Sequence, residues 1–237
     1  MSQGKLGMRI GESVFCIGYL LFDLIAGIIF LVYCPGPVFL LYGIMTLLLG
    51  FGDAFHLVPR VIKHIKGESE RVKWWMDFGL AVTSITMTVF YILLLYIWKM
   101  LYNSFYQASA VADNQTIDAL AAGCTGVIWS MAVARIVLCL LPQNDWFGNG
   151  NRKLSICRNT IFSIIGIAEI VLFLMIGGNG IIMAVCIFFS FLFYIPVTLF
   201  AKENPKVGML MIPKTVMYII MISLGLDMLV DVLRWLG

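Results

Sequence analysis

Apolar runs long enough to cross a bilayer recur seven times along this chain, at about residues 13–34, 37–59, 75–101, 117–141, 156–176, 180–200 and 208–233. A spanning helix needs about 20 such residues to cover a hydrocarbon core about 30 Å thick. Inside lipid, a helix satisfies all of its own backbone N–H and C=O groups, which an open strand or loop does not. Of 237 residues, 61% are hydrophobic and 12% are charged, against about 25% charged in a soluble domain. These proportions exclude a soluble enzyme, a secreted disulfide scaffold and a disordered chain. The expected fold is an all-α membrane protein, a seven-transmembrane-helix bundle forming a single polytopic domain over 1–237. Cys34-Pro35-Gly36-Pro37, Gly177-Gly178-Asn179-Gly180 and Asn204-Pro205 mark breaks between spans.

The basic residues set an expected direction. Lys5 and Arg9 precede span 1, and five more (Arg60, Lys63, Lys66, Arg71, Lys73) lie between spans 2 and 3. Arg152, Lys153 and Arg158 fall between spans 4 and 5, and Lys202, Lys206 and Lys214 near spans 6 and 7. In all, 13 of 16 Lys and Arg collect on one side, leaving Lys99 and Arg234 on the other and Arg135 inside span 4. The positive-inside rule makes the crowded side cytoplasmic, with the N-terminus in and the C-terminus out. Rhodopsins and heptahelical receptors run the other way. The charge of +3 is therefore read as a topology signal, with no basic patch for nucleic acid.

Ionisable residues inside a span cost at least about 2.5–3.5 kcal/mol on insertion scales, so they are paired or functional by default. Asp53, His56 and Arg60 fall at i, i+3 and i+7 of span 2, on one helical face. Span 3 opens with Trp74, Trp75 and Asp77 and continues through Thr83, Ser84, Thr86 and Thr88. Span 4 adds Arg135, span 5 Arg158, span 6 Tyr194, and span 7 Lys214 beside Thr215. The expectation is one polar pocket open to the cytoplasm, lined by Asp53, His56, Arg60, Asp77, Arg135 and Lys214. The competing reading is a set of interfacial side chains reaching toward headgroups, or a structural Asp53–Arg135 pair. Asp23, Glu169, Asp227 and Asp231 stand apart. Asp23 is expected to hydrogen-bond to a neighbouring span; the other three would either bind a cation or, the favoured reading, mark a solvated outer end.

No metal or other cofactor is implied. His56 and His64 are the only two histidines, too few for a three-histidine zinc hydrolase site. Lys214 lies too near a span end for a retinal linkage. The six cysteines contain no C-x-x-C pair and read as small packing residues.

Gly43-Ile44-Met45-Thr46-Leu47-Leu48-Leu49-Gly50-Phe51-Gly52-Asp53-Ala54-Phe55 resembles the Gly-Asp signature of the YhhN-like lysoplasmalogenase family, multi-span enzymes that cleave the vinyl ether of lysoplasmalogens. Phe78-Gly79-Leu80 followed by Phe90-Tyr91 resembles that family's next helix, and Phe188-Phe189-Ser190 and Val216-Met217-Tyr218 its last ones. The resemblance covers about half of the chain and implies a catalytic role for Asp53. Two departures stand beside it. The family keeps an acidic residue after the serine, where this chain has Phe191, and it has eight spans.

Three functions fit these residues. One is binding or transport of an anionic or phosphate-bearing amphiphile, or of a small anion, held by Arg60, Arg135 and Lys214. Another is a membrane lipid hydrolase using Asp53 as general base beside His56. The third is an accessory protein whose polar groups join helices. The expected partners are membrane lipids and that anionic ligand.

Overall fold

The computed structural model describes residues 3–108, 115–148, 150–200 and 204–237. Seven α-helices account for most of them: α1 (Gln3–Val32), α2 (Pro37–Lys66), α3 (Glu70–Ala108), α4 (Gln115–Leu140), α5 (Arg152–Ile176), α6 (Asn179–Phe200) and α7 (Met211–Leu236). All seven are long and apolar enough to cross a membrane. No strand occurs among the described residues. The chain is a helical bundle with the build of an integral multi-pass membrane protein.

The helices outrun the apolar runs. Span 2 was expected to end at Pro59, yet α2 continues through it to Lys66. A spanning helix tolerates proline because neighbouring groups take up the freed carbonyl. Pro196 is likewise carried inside α6. The start of span 7 also shifts. Pro205–Leu210 forms a 3-10 turn and α7 begins only at Met211, so Pro213 sits in the first helical turn, where its missing N–H has no partner to lose.

Successive helices pack as neighbours, and α7 returns to α1, closing the ring. α3 also meets α5, and α2 meets α7, so the middle of the ring is filled. The sidedness is that of a membrane bundle, with apolar residues on both faces and polar ones inside. On α1, Cys16, Tyr19, Asp23, Ala26 and Phe30 are buried at spacings of three, four, three and four, while Ile17, Leu21, Leu24, Ile25 and Ile28 face outward.

Two glycines set how closely the helices approach. A Cβ on Gly79 would stand 2.6 Å from the backbone of Phe55 and His56, so α3 lies directly against the α2 main chain. A Cβ on Gly50 would stand 2.8 Å from that of Asp23. Without a hydrophobic force between helices in lipid, close approach at small residues is what holds such seams.

Candidate functional site: a polar cavity between α2, α3, α4 and α7

The α2–α3 seam fixes the first wall. Thr83 lies one turn beyond Gly79, and its hydroxyl donates to the Gly52 carbonyl at 3.0 Å. The same oxygen lies 3.0 Å from His56 Nδ1. A hydroxyl carries one proton, already given to Gly52, so Nδ1 is the donor in this contact. That assignment makes Nε2 the acceptor of the neutral ring. One turn back on α2, Asp53 Oδ2 accepts a 2.9 Å hydrogen bond from the Tyr19 hydroxyl of α1.

The opposing walls carry cations. Arg135 of α4 is 2% exposed. Its Nη1 donates to the Ser84 carbonyl at 2.7 Å and to the Thr88 hydroxyl. Its guanidinium stacks 3.8 Å from the centre of the Phe162 ring, and Nε has no partner. Lys214 Nζ lies 5.1 Å and 4.9 Å from the Tyr194 and Tyr218 ring centres. Among the described residues neither cation is paired with a carboxylate. Aromatic faces soften the burial of a cation by about 0.5–2 kcal/mol, well short of a counter-ion's effect.

Asp53, His56, Arg60, Thr83, Ser84, Arg135, Tyr194 and Lys214 line one cavity of 100 Å³. That volume suits a few waters or a small anionic group. A wider vestibule of 570 Å³ adjoins it, bounded by α1, α2, α6, the Pro205–Leu210 turn and α7 and sharing Leu57, Arg60, Met211 and Thr215. Its wall is mixed, with Phe15, Val197, Met209 and Ile212 beside Glu12, Lys63 and Lys206. At this mouth Glu12 holds Arg60 at 3.5 Å and stands 3.8 Å from His64 Nε2. Glu12 thus occupies Arg60, and Arg135 and Lys214 face Asp53 alone.

Five of the six residues expected in one pocket therefore meet around this cavity: Asp53, His56, Arg60, Arg135 and Lys214. Asp77 does not. It lies on the same α3 face as Ser84, two turns nearer the helix start, and Leu80 stands between, lining both this cavity and a second one that holds Asp77. Asp53 and Arg135 form no ion pair in the described structure, since Tyr19 and the α3 oxygens are their partners.

Of the remaining carboxyls, Asp231 keeps to expectation and Glu169 and Asp23 do not. Asp231 is solvated beside Arg234, 3.8 Å away. Glu169 is fully buried, and both its oxygens lack a hydrogen-bond partner. The Asp23 oxygens likewise have none. Phe191 packs 4.9 Å from Phe162, the ring on which Arg135 stacks.

Glu12, Tyr19 and Phe162 were not legible as site residues. The available signal was weak: Tyr19 precedes Asp23 by one turn, on the polar face of α1. Among the described residues no group of three His, Cys, Asp or Glu side chains is placed to hold a metal ion. Comparison of the chain with protein families, curated proteins and solved structures found no match.

Proposed function

We propose that this protein binds an anionic, phosphate-bearing amphiphile or small anion in the Arg135–Lys214 cavity, from the cytoplasmic side of the membrane. The observation that carries this reading is the pair of buried cations facing one cavity, neither in ion-pair contact with a carboxylate among the described residues and only Asp53 on the shared wall. A buried charge left unpaired is costly, and an anion in the cavity would offset that cost. Charge-assisted hydrogen bonds to phosphate are the stronger kind, and arginine edges suit them. The mixed vestibule suits an acyl chain beside a charged head. The orientation rests on the 13-of-16 basic asymmetry, which sets the vestibule on the cytoplasmic side.

The test is titration of purified, nanodisc-embedded protein with lysophospholipids, vinyl-ether species included, and with inorganic phosphate. Lys214→Met is expected to weaken binding by about tenfold or more, the size of one lost charge-assisted bond. No binding by any of these probes, with Arg135→Ala still folded, would end the proposal and leave a structural or accessory role.

A second reading is hydrolysis of a lysophospholipid, as the lysoplasmalogenase-like resemblance implies. It is favoured by one observation: Asp53 and the acceptor-bearing His56 border the same cavity. Asp53 would take a proton from an attacking water. In that case Asp53→Asn abolishes turnover while ligand binding persists. Absence of released aldehyde from a vinyl-ether lysolipid would remove this reading and leave binding intact.

A further inference from the structure

A second cavity of 410 Å³ lies at the same end of the bundle, between the start of α3, the α4–α5 connection, the start of α5 and the end of α6. Its floor is unusually well fixed for a loop. The Asn144 amide donates to the carbonyls of Leu138, Cys139 and Leu141, at 2.6, 3.2 and 2.8 Å, closing the carbonyl end of α4. The Trp146 indole N–H donates to Cys139 as well, at 3.2 Å. These bonds hold the connection back against α4 and present the Trp146 ring as a platform.

Arg158 lies on that platform, its guanidinium 4.1 Å from the ring centre. It is 8% exposed. Its Nη1 is buried without a hydrogen-bond partner, and among the described residues no carboxylate pairs with it. The ring takes one face of the guanidinium, and Nη1 on its edge is left without an acceptor among the described residues, beside the cavity. The α5 N-terminus borders the same space. Asn151 caps it by accepting from Leu154 N at 3.2 Å, and Arg152 and Lys153 follow in the first turn. The positive helix end and the arginine edge thus meet at one cavity.

The surroundings belong to a membrane interface. Trp74 stacks 5.4 Å from Phe147 of the same connection and 5.3 Å from Phe78, and both Trp74 and Phe147 are exposed. Exposed tryptophans collect at headgroup level, and Ile156, also exposed, supplies an apolar flank to the cavity.

We propose that the Arg158 cavity is a phosphate site for an anionic phospholipid headgroup, separate from the Arg135–Lys214 cavity. Basic pockets between spanning helices recognise such headgroups through charge and N–H donors. The same chemistry is open to free phosphate, and the test separates the two.

The protein is released from detergent micelles and its adducts are measured by native mass spectrometry. The probes are phosphatidylglycerol, zwitterionic phosphatidylcholine, and inorganic phosphate as competitor. Phosphatidylglycerol is expected to be retained in preference to phosphatidylcholine, and Arg158→Gln to weaken that retention by about tenfold. The same loss is expected when Arg158→Gln is made in a Lys214→Met background, where the cavity proposed above no longer contributes to retention. Displacement by phosphate would identify the bare anion as sufficient, and resistance to it would assign the site to lipid. Should Arg158→Gln not fold, Ser155→Glu places a repelling carboxylate at the rim and should weaken retention in a folded protein. Equal retention of phosphatidylglycerol by wild type and by whichever of these variants folds overturns the proposal.

Discussion

Arg135 and Glu169 are both ionisable residues inside the bundle, 2% and 0% exposed, yet their surroundings differ in kind. Arg135 is stacked on Phe162, donates to two α3 oxygens and borders open space. Glu169 is packed on all sides, receives no hydrogen bond and borders neither cavity described above. Asp23 repeats the second pattern, with α2 drawn against it at Gly50. An unsatisfied polar group facing a cavity is positioned to be completed by something that enters. One enclosed by side chains is not. The difference is why the basic cavity, and no buried carboxyl, anchors the functional reading.

The harshest way to break that contrast is to move a cavity wall. Gly79→Val would force α3 away from the α2 main chain at His56, where even a Cβ lacks room. The expected cost is about 3 kcal/mol or more, at the upper end for overpacking, with loss of anion binding. Gly123→Val, where a Cβ meets nothing within 4 Å, is the matched control and should melt like wild type. A stable Gly79→Val protein with intact binding would mean that the seam does not build the cavity.

Glu169→Leu sharpens the other half of the comparison. Replacing an unsatisfied buried carboxyl by an apolar side chain of similar size should raise stability by about 1–3 kcal/mol. Denaturation in detergent measures it, and anion binding should not change. Loss of binding in a folded Glu169→Leu protein would show that the packed carboxyl takes part in function after all.

The lipid makes the coarse fold legible. Each span must be long and continuously apolar, so composition alone locates seven of them. The face of α2 carrying Asp53, His56 and Arg60 was legible for a similar reason, since one helix fixes its own periodicity. Contacts between helices were not. Tyr19 reads as an ordinary core aromatic until α1 brings its hydroxyl to Asp53. Glu12 reads as a solvated end until it meets Arg60. The depth of Asp77 along α3 is legible and sets it level with the pocket, whereas the partition made by Leu80 is a tertiary feature. The Arg158 cavity depends on Asn144 bonding to three carbonyls, a tertiary detail with no periodic signature.

The mildest expected effect falls on a single hydroxyl. Thr83→Val keeps the shape of the side chain while removing both the bond to the Gly52 carbonyl and the acceptor for His56 Nδ1. The expected loss of stability is about 1 kcal/mol, too small to disturb the fold. Its consequence for His56 is qualitative. With Thr83 present, the Nδ1 proton is held and Nε2 stays the acceptor; without it, neither tautomer of the neutral ring is selected. Nitrogen chemical shifts of labelled histidine can read this directly, because His56 and His64 are the only two in the chain. His64, tied to Ser13 and Glu12 at the vestibule mouth, should not change and serves as the internal reference. Wild type should show one dominant His56 tautomer and Thr83→Val a mixture. A mixture already present in wild type would show that the α2–α3 seam does not orient His56, and the hydrolytic reading would lose the oriented His56 beside Asp53 while the cation cavity stayed as it is.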